Sequence, residues 1–217
     1  MKKFLTMATV IVASIFTAQA QEIKFGARAG VNFSTVSDKE SAYDEYSSLN
    51  AEVETGFKTG FHIGAFAEFG LSDRFFIEAG LAYSQQGATL KSVKGEVKNS
   101  RGTTTRIINR TFDNDSHLTF GLINLPVWVK YDIEGFRPKI GMNFGYLTFA
   151  KSKIDGETYS EDVNKKFDFG LGIGAEYNLP MGLFFDANFN FGLTNLAQSE
   201  GKIIKNRVIQ IGVGYKF

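Results

Sequence analysis

The chain has 217 residues and a formal net charge of +1, so its length fits one all-β domain and its charge gives no electrostatic case for nucleic-acid binding. It contains no cysteine, which excludes disulfides and thiolate chemistry. Its 23 glycines and 22 phenylalanines, against only 3 prolines, favour twisted strands with close backbone contacts over helices.

The N-terminus has the pattern of a secretory signal peptide. Lysines at positions 2 and 3 precede an apolar run at 4–16, and a small-residue cleavage motif, Ala-Gln-Ala, follows at 18–20. A membrane anchor helix is the alternative, but the run is shorter than the roughly 20 apolar residues that a span needs. We therefore expect residues 1–20 to be removed and residues 21–217 to form the mature domain. Removal takes 2 of 24 basic residues and none of the 23 acidic ones, which leaves a net charge of −1.

Eight segments of the mature domain alternate between apolar and polar residues with a period of two, which predicts β-strands. In chain order they lie at 25–33, 57–71, 75–84, 123–131, 139–146, 167–179, 183–193 and 206–217. Long polar connections at 34–56, 87–117, 150–166 and 194–205 alternate with tight turns at 72–74, 132–136 and 180–182. An antiparallel meander would place all long loops at one end, and the tight turns and both termini at the other.

Three local features qualify this pattern. Leu118, Phe120 and Leu122 have the opposite parity to the strand that follows them, which predicts a bulge near Leu122. Pro126 lies inside that strand and removes a hydrogen-bond donor, and the sequence does not indicate how the loss is absorbed. The polar segment around 99–102 has the composition of an extended hairpin.

The composition of the two strand faces indicates which one points outward. The polar face is rich in glycine, which suits a crowded interior rather than the water-facing surface of a soluble lipocalin-like barrel. The apolar positions carry no charged residue, and aromatic residues gather near the strand ends, as in the two girdles of a membrane barrel. The predicted girdle residues are Phe25, Phe33, Phe57, Phe69, Phe75, Tyr83, Tyr131, Phe167, Tyr177, Tyr215 and Phe217. We therefore predict an eight-stranded antiparallel up-and-down transmembrane β-barrel, which closes every sheet edge as hydrocarbon requires.

Several stretches carry a family resemblance: INLPVWVKY at 123–131, FDFGLGIGAEY at 167–177, DANFNFGLTN at 186–195, and the aromatic C-terminus. With them the mature chain resembles the small outer-membrane β-barrel family common in Bacteroidetes-type bacteria, described as porin-like or PorT-like. The resemblance implies a Gram-negative outer membrane and insertion by the barrel-assembly machinery, which reads a C-terminal aromatic strand. Tyr215 and Phe217 would then be the assembly signal. One member type assists protein secretion, a role that does not transfer to every member.

An eight-stranded barrel has an interior that side chains can just fill. Ten charged residues occupy predicted inward positions, and buried charges must be paired. These residues are Lys24, Arg28, Glu68, Glu78, Lys130, Lys139, Asp168, Glu176, Asp186 and Lys216. We predict that they form an ion-pair plug in the half nearest the tight turns; the alternative is that several of them line a wet mouth. The other half, lined by Asn32, Asn143, Gly170, Gly172 and Asn190, leaves room for water or a small pocket.

No catalytic or metal site is predicted. Lipid-modifying enzymes exist among eight-stranded barrels, but His62 and His117 have no identifiable triad partner, so we expect no enzymatic activity. The Asp113-Asn114-Asp115 tripeptide resembles the start of a Ca²⁺ loop but lacks the downstream glycine and glutamate spacing. We accordingly expect neither cofactor nor metal.

The long loops are the expected functional surface, because binding residues favour loops on a rigid scaffold. Loop 34–56 is acidic and loop 87–117 is basic, so they either recognise a partner or surface polysaccharide, or attract each other and stay solvated. We expect a monomer in contact with outer-membrane lipid, with extracellular loops and periplasmic termini, and with a structural, adhesive or secretion-accessory role. The alternative is a narrow porin that passes small solutes.

Overall fold

The computed structural model describes residues 23–43, 47–161, 166–196 and 202–217, so the predicted signal peptide at 1–20 lies outside the described residues. Within those ranges, no helix is long and apolar enough to cross a membrane. The strands are β1 (Ile23–Tyr43), β2 (Ser47–Gly70), β3 (Phe75–Asn99), β4 (Thr104–Thr111), β5 (His117–Tyr131), β6 (Phe136–Ile154), β7 (Glu157–Glu161), β8 (Phe167–Asn178), β9 (Leu183–Gly192) and β10 (Lys202–Lys216).

Eight of these strands form one closed antiparallel ring, in the order β1, β2, β3, β5, β6, β8, β9 and β10. The strand β10 pairs with β9 on one side and with β1 on the other, where Gly26 lies opposite Lys216. The short strands β4 and β7 pair with β3 and β6 and lie outside the ring. The ring confirms the predicted eight-stranded up-and-down barrel.

Strands in the barrel continue well beyond the predicted limits at the long-connection end. The predicted loop 34–56 is mostly a hairpin, because β1 and β2 stay paired up to Tyr43 and Ser48. The predicted loop 87–117 holds the far half of β3 and all of β4, joined by a turn at 100–103, so the hairpin expected around 99–102 is present. The predicted loop 150–166 holds the end of β6 and β7. Beyond the girdles the inner face stays buried, as at Ala88 and Ala150. Exposed positions such as Lys91 and Lys151 are polar, so backbone pairing persists there without an apolar outer face.

Both sequence irregularities have a structural explanation. The register between β5 and β6 shifts opposite Gly121 and Leu122, but the extra residue is Thr148 on β6, because Phe149 and Leu147 are the successive partners. The pairing of β5 with β3 continues there without a shift, so the bulge lies on the strand beside the predicted one. Pro126 interrupts the β3–β5 ladder without shifting its register, because pairing stops at Ala79 with Val127 and resumes at Ala82 with Asn124. The proline ring then lies beside Gly80, where an added Cβ would be 3.5 Å from Pro126 Cγ.

The apolar face of the ring points outward. Aliphatic side chains such as Ile140, which is 65% exposed, form the middle of the outer surface, and aromatic side chains border it at both ends. The girdle at the tight-turn end contains Phe25, Phe75, Phe136, Tyr177, Phe185 and Tyr215, and the opposite girdle contains Phe33, Phe57, Phe61, Tyr146 and Phe167. Such a belt between two aromatic girdles is the lipid-facing surface of an outer-membrane barrel.

Candidate functional site

The barrel interior at the tight-turn end holds a cluster of buried charged side chains. Glu68 lies near the end of β2 and Glu78 near the start of β3, so the turn at 71–74 brings them to the same level. Lys130 and Glu176 occupy the matching inward positions of β5 and β8, next to the turns at 132–135 and 179–182. All four side chains are at most 1% exposed. Because side chains alternate between the two faces of each strand, these four charged groups lie together in one buried layer.

Lys130 is the centre of this cluster. Its Nζ donates to Glu68 Oε2 at 2.7 Å, to Glu78 Oε2 at 2.6 Å and to Glu176 Oε2 at 2.7 Å. An ammonium group has three protons, so this geometry uses every donor that Lys130 possesses. Hydrogen bonds between ionised groups are among the strongest in proteins, and here they join β5 to β2, β3 and β8 across the lumen.

Four more side chains surround this centre and complete the pairing. Lys216 Nζ donates to Glu68 at 2.9 Å and to Glu176 Oε1 at 2.6 Å. Arg28 pairs with Glu78 and, at 3.3 Å, with Asp186 Oδ2. Lys139 Nζ reaches the same Asp186 oxygen at 3.1 Å. The cluster thus links strands on all sides of the ring.

Arg137 extends the cluster to the turn at 132–135. It donates to Glu68 Oε1 at 2.8 Å and also pairs with Asp132. Burial would raise the pKa of the Asp132 carboxyl, but hydrogen bonds from the Gly135 amide and from Arg137 outweigh it and hold that pKa below its usual range. With these two residues, five cations face five carboxylates, so the charges of the cluster balance.

The structure brings eight of the ten predicted lumen charges into this cluster. Lys24 is half buried and lies opposite Glu68 in the β1–β2 register. Asp168 lies elsewhere, contrary to the prediction, because it precedes Glu176 by eight residues on β8, about 26 Å along the strand. Sequence reasoning missed Arg137, which has the same inward parity as Lys139 but precedes the predicted start of its strand at 139.

Aromatic side chains fill the space that the charges leave. The Arg28 guanidinium lies 4.5 Å from the ring centre of Phe66, and Lys139 Nζ lies 5.0 Å from that of Trp128. Glycines make room for these rings: a Cβ at Gly141 or Gly172 would come within 2.7 Å of the indole of Trp128. The glycine-rich inner face therefore packs against large side chains, which agrees with a filled lumen rather than an open channel.

Glu68, Glu78 and Glu176 also have the arrangement of a metal site, since one oxygen of each lies within 4.8 Å of the others. The Lys130 ammonium stands among these oxygens and bonds to all three residues. A cation is thus already supplied by the chain itself. The arrangement is a set of ion pairs, not a metal centre.

A layer of amides and hydroxyls lies above the charged cluster, toward the hairpin end. His62 is buried there, and its Nδ1 is 2.8 Å from Asn32 Oδ1. Asn32 also bonds to Ser84 Oγ at 2.9 Å, and Gln210 donates to Asn32 Oδ1 at 3.0 Å. The ring of His62 is therefore oriented by a neutral amide. The Asp186 carboxylate lies near its Nε2, since a Cβ at Gly212 would approach both atoms, but no hydrogen bond joins the two described side chains.

An apolar layer closes the hairpin end of the lumen. It consists of Val36, Ala88, Phe120, Leu122, Leu147 and Ala150, with Leu118 and Ile204 packed against it. Leu118, Phe120 and Leu122 share the inward parity of Asn124 and Lys130 on an unbroken β5. The inward positions of this strand change from polar to apolar at its hairpin end, which explains the pattern in the sequence. The lumen is thus layered from charged to polar to apolar along the barrel axis.

The predicted acidic and basic loops lie side by side. Strand β2 pairs with β3, so Lys91 lies 3.9 Å from Glu54, and Ser92 donates to Glu54 at 3.1 Å. Part of the opposite charge is therefore satisfied within the hairpins, as one of the two sequence interpretations expected. Arg101 and Arg106 are exposed and form no ion pair with any side chain that the structure describes.

The two residues of the predicted assembly signal lie on the outer surface. Tyr215 is 46% exposed and Phe217 is 78% exposed, and their ring centres are 5.5 Å apart. The Phe217 amide donates to the Phe25 carbonyl at 2.8 Å, which fastens the last strand to the first. Their role in assembly stays a prediction.

Comparisons with known proteins agree with this architecture. Residues 18–198 match the family model described as "Outer membrane protein beta-barrel domain". The structure of Neisserial surface protein A is similar, with a TM-score of 0.50, 14% identity, and coverage of 89% of this chain and 97% of that one. The attachment invasion locus protein Ail of Yersinia pestis gives a TM-score of 0.45 at 14% identity, covering 90% and 99%. The outer membrane protein OprG from Pseudomonas aeruginosa has a TM-score of 0.43 and 13% identity, with coverage of 91% of this chain and 97% of that one. No curated protein matches in sequence.

Proposed function

Since the chain belongs to the outer membrane protein beta-barrel domain family and is an integral outer-membrane protein, we propose that it is a closed scaffold that presents an extended hairpin surface to a partner. This surface consists of β3 beyond residue 90 together with β4 and the adjoining end of β2. The role is structural, adhesive or secretion-accessory, and transport and catalysis are the alternatives. The partner binds through the hairpins that replace the predicted loops 34–56 and 87–117.

One observation carries this proposal: the strands are far longer than the membrane requires. A transmembrane strand needs about 9–11 residues, whereas β2 has 24 and β3 has 25. The excess lies at the end away from the tight turns, where β2 and β3 stay paired from Phe57 and Ala88 out to Ser47 and Asn99. Paired backbone makes this projection a rigid platform, and rigid platforms suit recognition because little ordering entropy is lost on binding.

The orientation and the finer family assignment belong to the same proposal. Hairpins on the extracellular side and termini on the periplasmic side fit the usual arrangement of bacterial barrels, which have short periplasmic turns and longer outer loops. The stretches at 123–131, 167–177 and 186–195 support a Bacteroidetes-type, PorT-like member. A ring closed by β10 and β1 leaves the barrel wall without a free edge, which supports a monomer.

Photo-crosslinking in intact cells tests the partner. A photoreactive residue at Ile107, which is 78% exposed on β4, should form an adduct with a defined protein or polysaccharide. The same residue at Ile140, in the lipid-facing belt, is the matched control and should give no such adduct. Changing both Arg101 and Arg106 to glutamate should reduce the adduct at Ile107, because the platform would lose its unpaired positive charge.

The outcome separates a recognition surface from a merely solvated one. Equal adduct patterns at Ile107 and Ile140, or an adduct indifferent to the charges of Arg101 and Arg106, would contradict recognition by the hairpins. Surface levels of every variant need to match those of the unmodified protein, so that a missing adduct reports binding rather than assembly.

Planar-bilayer recording tests the narrow-porin alternative. The charged layer around Lys130 and the apolar layer around Phe120 both obstruct the lumen, so we expect no stable single-channel conductance from the purified protein. Any residual membrane current should scale with the conductivity of the bulk salt solution, without discrete steps. Long-lived, uniform conductance steps would instead support the porin and would overturn the closed-scaffold proposal.

The catalytic alternative receives less support from the geometry. His62 is held by an amide, and His117 Nδ1 lies 2.7 Å from the carbonyl oxygen of Asp115 on an exposed turn. In the described part of the chain, neither ring is aligned by a carboxylate toward a nucleophile, which is the arrangement that acyl transfer requires. We therefore propose that the protein is not an enzyme.

A further inference from the structure

Asp168 differs from the other lumen carboxylates in having no cationic partner. Glu68, Glu78, Glu176 and Asp186 each form an ion pair with a lysine or arginine. Asp168 is only 5% exposed, its Oδ1 accepts no hydrogen bond, and no described lysine or arginine side chain pairs with it. An ionised carboxylate taken out of water needs a compensating charge, and this chain supplies none there.

The place that Asp168 faces is a small polar cavity. Its lining combines Asp168 with amide side chains and glycines, namely Gln86, Asn124, Asn143, Gly170, Asn190, Gly192, Asn206 and Gln210. The cavity has a volume of about 20 Å³. A cavity of about 10–15 Å³ holds one water molecule, so this one accommodates one or two water-sized particles and excludes a sugar.

Oxygen atoms converge on this cavity. Asn206 is 4% exposed, its Oδ1 also lacks a hydrogen-bond partner, and its amide lies within hydrogen-bonding reach of the Asp168 carboxylate. Gly145 lies between Asn124 and Asp168 in the sheet, and an added Cβ would be 2.9 Å from Asn124 Oδ1 and 3.3 Å from Asp168 Cβ. The missing side chain at Gly145 thus lets the two polar residues meet.

We propose that this cavity is a calcium site in the upper lumen, with Asp168 and Asn206 as its protein ligands and neighbouring amide oxygens completing the shell. The donor set consists of carboxylate and amide oxygens, which bind hard cations rather than soft ones. Ca²⁺ takes six to eight oxygens in a flexible geometry, whereas Mg²⁺ requires a near-ideal octahedron and keeps its waters. A single carboxylate gives weak binding, on the order of 10⁻⁴–10⁻³ M, as in extracellular calcium modules.

The test measures thermal unfolding of the mature protein refolded in an uncharged detergent and freed of metal with a chelator. Adding CaCl₂ up to about 10 mM, well above the expected dissociation constant, should raise the unfolding midpoint of the wild type. The same concentrations of MgCl₂, and NaCl at equal ionic strength, should raise it less. Isothermal titration should give one Ca²⁺ per chain.

The variant Asp168→Asn keeps the shape of the side chain and removes its charge. In chelator its unfolding midpoint should exceed that of the wild type, because the uncompensated buried charge is gone, and Ca²⁺ should no longer raise it. Asp113→Asn is the matched control: it removes an exposed carboxylate of the Asp113-Asn114-Asp115 turn and should leave the Ca²⁺ response unchanged. A wild type indifferent to Ca²⁺, or an Asp168→Asn variant that still responds, would overturn the proposal.

Discussion

Replacing Lys130 with methionine is expected to lower the free energy of unfolding by about 3–5 kcal/mol, the usual cost of leaving a buried charge without its partner. Methionine occupies a similar volume, so packing changes little, but three carboxylates lose the ammonium that they share. The cost has to appear in the folded state, because in the unfolded chain each carboxylate is solvated. Urea unfolding of the protein in detergent or liposomes, followed by tryptophan fluorescence, measures the difference.

Two comparisons make the result specific to the ion pairs. Lys151→Met changes an exposed lysine at the hairpin end and should stay within about 0.5 kcal/mol of the wild type. Adding Glu78→Gln to Lys130→Met should cost less than the sum of the two single changes, because it removes one of the charges that was left unpaired. Strict additivity, or a Lys130→Met variant as stable as the Lys151→Met control, would show that the charges are solvated and that the cluster does not close the lumen.

The layering of the lumen has a physical logic. Eight strands enclose too little space for bulk water, so an inward polar side chain needs a partner within the lumen. Among the described lumen carboxylates, Asp168 is the one without a cationic partner from the chain. Near the turns, Lys130 and its carboxylates meet this condition by ion pairing, and around Asn32 amides meet it by hydrogen bonding. Near the hairpins, Phe120 and Leu122 are apolar and therefore need no hydrogen-bond or ion-pair partner. The lumen is therefore closed along its axis by three different chemistries.

Much of the fold could be predicted from the sequence, because in the membrane the two faces of each strand meet opposite environments. Ile140 and Met142 meet lipid while Lys139 and Gly141 meet the lumen, and this contrast produces the period of two. The parity of Phe120 and Leu122 suggested a bulge on their own strand, but it reflects inward residues that change from polar to apolar on an unbroken β5. The extra residue is Thr148 on the neighbouring β6. Inward positions of Lys130 and Glu176 followed from the same alternation.

The features that sequence reasoning missed lie where that contrast ends or where pairing depends on three dimensions. Beyond the girdles, exposed positions of β3 and β4 carry polar side chains such as Lys91 and Arg106, so these paired strands look like polar loops. Arg137 borders a turn, where alternation stops. Asp168 shares the inward parity of Glu176, and only its distance along the strand separates it from the cations. Parity predicts which face a residue occupies but not the depth at which it meets a partner.

A lysine at the centre of the lipid-facing belt should be the most damaging change on the outer surface. Ile140 is 65% exposed, and it lies between the girdle residues Phe136 and Tyr146 on β6. Ile140→Lys therefore places an ammonium near the middle of the hydrocarbon, at a cost of about 2–4 kcal/mol. Unfolding in liposomes of a lipid with a typical bilayer thickness measures this cost directly.

Ile107→Lys is the matched control, because it makes the same chemical change at another exposed isoleucine. Ile107 is 78% exposed, but it lies on β4, outside the ring and beyond the girdle. Its substitution should change the free energy of unfolding by no more than about 0.5 kcal/mol, as for most surface sites in water. The two positions look alike by exposure alone, so only their surroundings distinguish them. Equal costs for both changes would mean that the belt at Ile140 does not face hydrocarbon, and the assigned position of the membrane would be wrong.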